Sequence, residues 1–409
     1  MFLDLLRRRN PALLEAAASL HRSGRLPANC YAIDLDAVGR NATTIRTEAD
    51  RLGLKTFAMV KQLGRNPDVS RRLVESGITH AVGVDLECAV AAASGGLRTG
   101  HLGHLVQIPR YQAAAGAALE PQYWTVFNDE KASEAAAASA ALGRTQDLLA
   151  RLIGPDDRYY RGHEGGFPAA DVAALADRLD ALDGARFAGI TTFPATLFDA
   201  ENRTVKTTQN LETLRAAAAV LRAAGRTDLE LNAPGTTSTA MLERLAEAGA
   251  TQVEPGHGLT GTTPWHAVED LAEEPAIVYV SEVSHLWNDE AYTFGGGLYV
   301  DPVLGRSSTS AIVVTRDALD KGIASAPVLP VDMPAPEAID YYAPIPLGGR
   351  NDVAVGDTVM FGFRPQVFVT RGLTAAISGI SSGSPRVEGV WASDGSAPLV
   401  SYDVREEVR

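Results

Sequence analysis

Between Thr56 and Pro255 the sequence alternates short apolar runs with longer amphipathic stretches, and this alternation constrains the fold more than any other feature. The runs are TFAMVK (Thr56 to Lys61), HAVGV (His80 to Val84), HLGHLVQI (His101 to Ile108), YWTVF (Tyr123 to Phe127), LLARLIG (Leu148 to Gly154), FAGITTF (Phe187 to Phe193), LELNA (Leu229 to Ala233) and TQVEP (Thr251 to Pro255). The intervening segments carry helical spacing, as in Leu211, Leu214, Ala218 and Leu221. Short apolar strands alternating with helices predict a parallel sheet of βαβ units. Eight such units predict an α/β fold closed into a (β/α)₈ TIM-like barrel, with an open doubly wound sheet as the alternative. A further strand is expected just before them, over Tyr31–Val38 (YAIDLDAV).

A chain of 409 residues exceeds the roughly 250–300 that one core organises. Its texture changes after about Leu271, where runs such as AIVYVSEV, AIVVT, DTVMFGF and QVFVT stand between Gly-, Pro- and Asp-rich turns. The expected division is an N-terminal helical segment over 1–30, a barrel over 31–271 and an all-β C-terminal domain over 272–409. A net charge of −13 argues against a nucleic-acid or anionic-membrane surface as principal partner. There is no apolar run of about 18 residues to span a membrane. The first residues, MFLDLLRRRNPALLEAAASL, place apolar residues before the arginines and continue at helical spacing, unlike a signal peptide. Cys30 and Cys88, the 2 cysteines, cannot form a disulfide framework. The expectation is a cytoplasmic enzyme.

Lys61 closes the first run, which aims its amine at the carboxyl end of the barrel, where barrel enzymes keep their sites; a lysine finishing a strand in solvent is the alternative. After the seventh run comes APGTTST (Ala233 to Thr239), and after the eighth EPGHGLTG (Glu254 to Gly261). Loops at these two positions, opening onto helix N-termini, are where barrels bind phosphate. A lysine on the first strand and two such loops together predict a phosphorylated carbonyl cofactor that condenses with Lys61.

The segments YAIDLDAVGRN and FAMVKQLGRN resemble the opening of the alanine racemase-like, fold-type III pyridoxal-phosphate enzymes. FAGITTFPA, NAPGTTST and QVEPGHGLTG are similar to that family's later segments, and GHEGGF with PGHGLTG looks closest to its YhfX-type branch of predicted amino-acid racemases. The resemblance implies pyridoxal 5'-phosphate joined to Lys61, its phosphate held by Thr236, Thr237, Gly256, His257, Gly258 and neighbouring amides, and Arg65 in the place of a phosphate-contacting tyrosine. It also implies a homodimer with active sites shared between subunits and a small-molecule amino-acid substrate.

Departures from the family pattern shape the expected reaction. Alanine racemase has an arginine facing the pyridine nitrogen where this chain has Glu254; a carboxylate there stabilises the pyridinium and favours delocalisation of carbanion charge. The EPG segment also looks like that of the fold-type III decarboxylases, but these use a C-terminal cysteine, and no cysteine follows Cys88. Apart from His285 and Asp289, no close-spaced pair suits the metal-dependent relatives, so no metal is expected. A racemase needs a proton-transfer group on each face of the planar carbanion. Lys61 serves one face, and His285 or Tyr292 of the second subunit is the candidate for the other, unless both are ordinary interface or core residues. Phe294 falls where the family tyrosine would stand. Glu164 stands near the family's substrate-carboxylate arginine, leaving Arg110 and Arg364 as alternative anion binders. His101 and His104, read as the start of their strand, are expected to be structural, and Asp36 and Asp85 to cap or turn the chain. The expected activity is an amino-acid racemase, with decarboxylation or elimination, a non-enzymatic cofactor carrier, and a cofactor-free phosphosugar barrel as rivals.

Overall fold

The computed structural model describes residues 1–301, 308–333 and 340–402. The chain opens with helices α1 (Phe2–Arg9) and α2 (Pro11–Arg22). The single N-terminal helix expected from the spacing is broken at Asn10, whose side chain accepts the Leu13 amide ahead of Pro11. Strand β1 (Cys30–Asp34) and helix α3 (Leu35–Arg51) follow. The strand expected as far as Val38 stops at Asp34, because the Asp34 carboxylate accepts the amides of Asp36 and Ala37 and starts the helix. Asp34, not Asp36, is therefore the cap here; Asp85 is a cap as expected, accepting the Cys88 amide at 2.7 Å.

The next elements are β2 (Lys55–Thr56), α4 (Pro67–Glu75), β3 (His80–Gly83), α5 (Leu86–Ser94), β4 (Arg98–Leu102), α6 (Ala113–Ala118), β5 (Tyr123–Val126) and α7 (Asp129–Ala140). After them come β6 (Gln146–Ile153), β7 (Phe167–Pro168), α8 (Val172–Asp180), β8 (Ala185–Thr191), a hairpin of β9 (Thr196–Asp199) and β10 (Thr204–Thr207), and α9 (Gln209–Ala223). The series ends with β11 (Glu230–Asn232), α10 (Thr239–Glu247) and β12 (Gln252–Val253). Parallel pairing runs β2-β12-β11-β8-β6-β5-β4-β3, and a bridge from Ala58 to Ala81 brings β3 back to the chain of β2. The result is the expected barrel, nearly closed. Phe57, Val82, Leu149 and Ala188 form an apolar cluster within it, as the period-2 alternation of strand side chains requires.

The C-terminal strands are β13 (Ile277–Trp287), β14 (Glu290–Phe294), β15 (Ser310–Val314), β16 (Val328–Pro330), β17 (Tyr342–Pro346), β18 (Thr358–Phe361), β19 (Leu373–Ser378) and β20 (Arg386–Trp391), with one short helix, α11 (Arg316–Lys321). They form a sheet ordered β16-β15-β18-β13-β1-β19-β20, to which β14 and β17 are joined through β13. The expected all-β domain is present, and it takes in β1. Leu3, Leu6, Leu13, Leu14 and Leu20 of the first two helices share its core with Val278, Val280, Ile312 and Met360.

Two compact units result. One holds residues 42–60 and 73–258, the barrel; the other holds 1–41, 61–72 and the chain from Leu259 onward. Among the described residues no helix is long and apolar enough to cross a membrane.

Candidate active site

The carboxyl ends of the barrel strands carry a layer of buried polar side chains. Each is two positions after an inward neighbour on its own strand: Thr125 after Tyr123, Arg151 after Leu149, Asn232 after Glu230 and Glu254 after Gln252, so the pleat returns them to the barrel interior. Register links them, with Arg151 opposite Thr191 and Thr191 opposite Asn232. His101, Thr125, Arg151, Thr191, Asn232 and Glu254 are all buried, Glu254 being 4% exposed.

The side chains form one connected network. Thr191 Oγ1 donates to Asn232 Oδ1 at 2.7 Å, and Asn232 Nδ2 donates to Glu254 Oε1 at 2.9 Å. The same Oε1 lies 2.5 Å from His101 Nδ1, while His101 Nε2 lies 2.5 Å from Thr125 Oγ1. A carboxylate only accepts, so His101 Nδ1 carries a proton and donates it to Glu254. Burial alone would raise the Glu254 carboxyl, but the charges of His104 and His101 and the hydrogen bonds from His101 and Asn232 outweigh it and hold it well below its ordinary value. Glu254 is therefore anionic at neutral pH. Its second oxygen, Oε2, is buried with no hydrogen-bond partner among the described residues; His104 Nε2 approaches it at 3.4 Å.

His101 and His104 thus do not lie at the start of the strand, as expected, but beside Glu254. Strand β4 begins at Arg98, earlier than the apolar run indicated, which moves His101 to its carboxyl end and leaves His104 two residues beyond it. Among the described residues, His101, His104 and Glu254 also form the one group of three acidic or histidine side chains whose ligand atoms lie within 4.8 Å of one another.

Two loops build an anion cradle beside this layer. Ser238 is the N-cap of α10 (9 residues), and its Oγ is buried without a partner. Thr236 is half-buried and Thr237 buried on the same loop. The loop after β12 packs on it so closely that a Cβ on Gly258 would lie 2.6 Å from the Thr237 carbonyl oxygen. Gly256, His257 and Gly258 are buried there, with His257 opening a 3₁₀ turn. A helix N-terminus with a buried hydroxyl that has no partner among the described residues favours an oxyanion. Ser238 adds to the residues expected from the sequence, and TTST ahead of a helix is its sequence signal.

The remaining predicted residues lie in the other unit. Strand pairing stops before Lys61, which opens a 3₁₀ turn, is half-buried and has its amine 5.0 Å from the centre of the Phe368 ring. Lys61 is two residues beyond Met59, whose amide donates to the Pro255 carbonyl in the barrel. Gly64 and Arg65 take left-handed φ values of 65° and 52°, turning the chain. His285 and Tyr292 pair across β13 and β14 and stack, with centroids 4.6 Å apart, and Tyr342 meets His285 edge-on at 5.0 Å. Tyr292 donates to Glu290 at 2.8 Å, a bond that raises its pKa, the wrong direction for a base at neutral pH. Asp289 is not paired with His285; its carboxylate accepts the Gly349 amide at 3.0 Å.

Glu164, in place of the family's arginine, and the two alternative anion binders all have partners of their own. Glu164 is exposed and accepts the Gly162 amide at 2.6 Å. Arg110 is exposed and held by Glu134 at 2.7 Å, and Arg364 is paired with Asp301. His104, Tyr160 and His163 instead gather around Phe193 with centroid separations of 5.6–5.9 Å.

Residues 33–264 match the family model described as alanine racemase, N-terminal domain, and residues 278–387 match YhfX-like, C-terminal domain. A protein of Escherichia coli (strain K12), uncharacterised protein YhfX, is 36% identical over 97% of this chain and 99% of its own length. In fold the chain is similar to D-threonine aldolase from Filomicrobium marinum (TM-score 0.65, 16% identity, 90% of this chain and 95% of that one). It is likewise similar to alanine racemase of Clostridium difficile 630 (0.64, 14%, 89% and 98%) and to D-threo-3-hydroxyaspartate dehydratase from Delftia sp. HT23 (0.63, 18%, 88% and 97%).

Proposed function

Because the chain belongs to the alanine racemase-like family, on its YhfX-like branch, we propose that it is a pyridoxal-phosphate-dependent amino-acid racemase. The observation that carries this reading is Glu254, a buried, charged carboxylate whose Oε2 accepts no hydrogen bond among the described residues and has His104 Nε2 at 3.4 Å. An orphaned acceptor of that kind fits a ring N–H, and the unpaired Ser238 hydroxyl at the start of α10 fits a phosphate. When bound, pyridoxal phosphate supplies an electron sink for the charge that develops at Cα.

The chain's own residues do the rest. Lys61 would hold the cofactor, and its amine would take or return the Cα proton on one face. Thr236, Thr237 and Ser238, with the amides of Gly256, His257 and Gly258, bind the phosphate, and Arg65 adds a positive charge. Glu254 keeps a proton on the ring nitrogen because its own carboxyl stays ionised, and His101 and Asn232 fix its orientation through Oε1. The second proton-transfer group is His285, supplied by a second copy of the chain in a homodimer; Tyr292, raised by Glu290, stacks on it and limits its rotation.

Incubation of the cofactor-loaded protein with a panel of amino acids in deuterated water tests the reading. Deuterium at Cα with loss of optical activity is expected. Release of CO₂ or ammonia without racemisation would move the assignment to a decarboxylase or lyase, and no turnover despite bound cofactor would leave a carrier.

A further inference from the structure

A free amino acid presents a carboxylate that a barrel enzyme must anchor, and the arginines expected to do so are engaged elsewhere. One arginine inside the polar layer is not. Arg151 stands on β6, opposite Thr191, which bonds to Asn232, which in turn bonds to Glu254. At about 4.8 Å per strand, the Cα atoms of Arg151 and Asn232 are about 10 Å apart. Arg151 is 1% exposed.

Only one of its nitrogens is used. Nη2 donates to the His163 carbonyl at 2.5 Å and reaches the Phe193 carbonyl at 3.5 Å. The guanidinium also rests 4.7 Å from the centre of the Phe127 ring. Nε and Nη1 have no partner, and no carboxylate pairs with this cation among the described residues. A buried guanidinium with free donors is costly to keep, and desolvation lowers its pKa to about 10, which still leaves it charged at neutral pH. Its carbonyl and ring contacts hold the group in one orientation, so little ordering remains to be done when an anion arrives.

We propose that Arg151 is the carboxylate anchor of this site, binding the α-carboxylate of a free amino acid through Nε and Nη1. The substrate class follows: amino acids with an unmodified α-carboxylate, not amines and not carboxamides. An ion pair to the carboxylate also stabilises the state that CO₂ loss would have to destroy, which disfavours decarboxylation. The substrate half of this inference rests on the cofactor-enzyme reading above; the anion site itself does not.

The test therefore has two arms. In the first, cofactor-free protein is titrated with propionate, propionamide and propylamine at constant ionic strength, and the thermal unfolding midpoint is followed. Propionate alone should raise it saturably by ~2 °C. The rise should vanish in Arg151→Gln and be partly kept in Arg151→Lys, while the response of both variants to inorganic phosphate matches the wild type and certifies the fold. In the second, loaded Arg151→Gln should show a KM for its amino acid raised ~10–100-fold, the strength of a charged hydrogen bond or two. Affinity for the matching amine should not change. A propionate response that survives in Arg151→Gln overturns the anchor and makes Arg151 a brace for the loop at His163. An Arg151-dependent response together with no amino-acid turnover keeps the anion site and sinks the racemase reading.

Discussion

The two ends of the barrel are built from similar side chains used in opposite ways. At the amino end Lys55 donates to Tyr123 at 2.7 Å and to Glu230, Tyr123 donates to Glu230 Oε1 at 2.9 Å, and Thr251 and Gln252 donate to Glu230 Oε2 at 2.5 and 2.9 Å. Every oxygen of Glu230 is taken. At the carboxyl end Glu254 has two donors on Oε1 and none on Oε2, and Arg151 leaves two nitrogens free. A cavity of about 570 Å³ lies at the Glu230 end, lined by Lys55, His80, Gln122 and Tyr123 among others. The contrast is between the two carboxylates: a saturated one braces its neighbours, whereas one with an orphaned oxygen keeps an acceptor open to a ligand.

The same substitution at the two ends should therefore have opposite consequences. The largest effect is expected for Glu254→Gln. Its amide oxygen can still accept from His101 and Asn232, so unfolding should be nearly unchanged. Its amide nitrogen cannot accept from a ring N–H, and kcat should fall ~10²–10³-fold. Chemical denaturation and racemisation rates measured on one preparation separate the two. Glu230→Gln comes next, with the opposite pattern: its new NH₂ faces the Thr251 and Gln252 donors, so stability should drop by about 2 kcal/mol while activity stays within about threefold. Equal loss of activity in both variants would erase the distinction between the ends.

Smaller effects sharpen it. His101→Gln removes the charge-assisted bond to Oε1, and activity should fall about tenfold, the worth of one such bond. Burial raises the Glu230 carboxyl, but the bonds from Lys55, Thr251, Gln252 and Tyr123 bring it below its ordinary value. A folded pKa below an unfolded one of about 4.3 contributes stability that is full above that value and fades as pH falls through the folded pKa. The stability gap between wild type and Glu230→Gln should thus be complete at about pH 7 and narrower at about pH 3, as urea titrations at the two pH values can show.

The sequence was most legible where periodicity speaks. Seven of the eight runs fall within a few residues of their strands, and the change of texture after Leu271 marks a real all-β region, because strand alternation and turn chemistry are local signals. It misled where a long-range pairing decides. HLGHLVQI reads as a strand from His101, yet pairing of Arg98 with His80 starts β4 three residues earlier, and that shift alone put both histidines at the wrong end of the strand. Likewise β1 is a strand by its own pattern, but its partners Val280 and Leu373 lie far along the chain. Arg151 was readable in part, as a charge within the apolar run LLARLIG; that it lacks a carboxylate partner was not, since this depends on which side chains the closed barrel brings beside it.

The central claim is that pyridoxal phosphate is held through Lys61. Cofactor-free protein would be mixed with one equivalent of pyridoxal phosphate, reduced with borohydride, digested and mapped by mass spectrometry. One cofactor per chain on the peptide containing Lys61, absent in Lys61→Ala, is the predicted result. No adduct, or an adduct that persists on another lysine in Lys61→Ala, would contradict it.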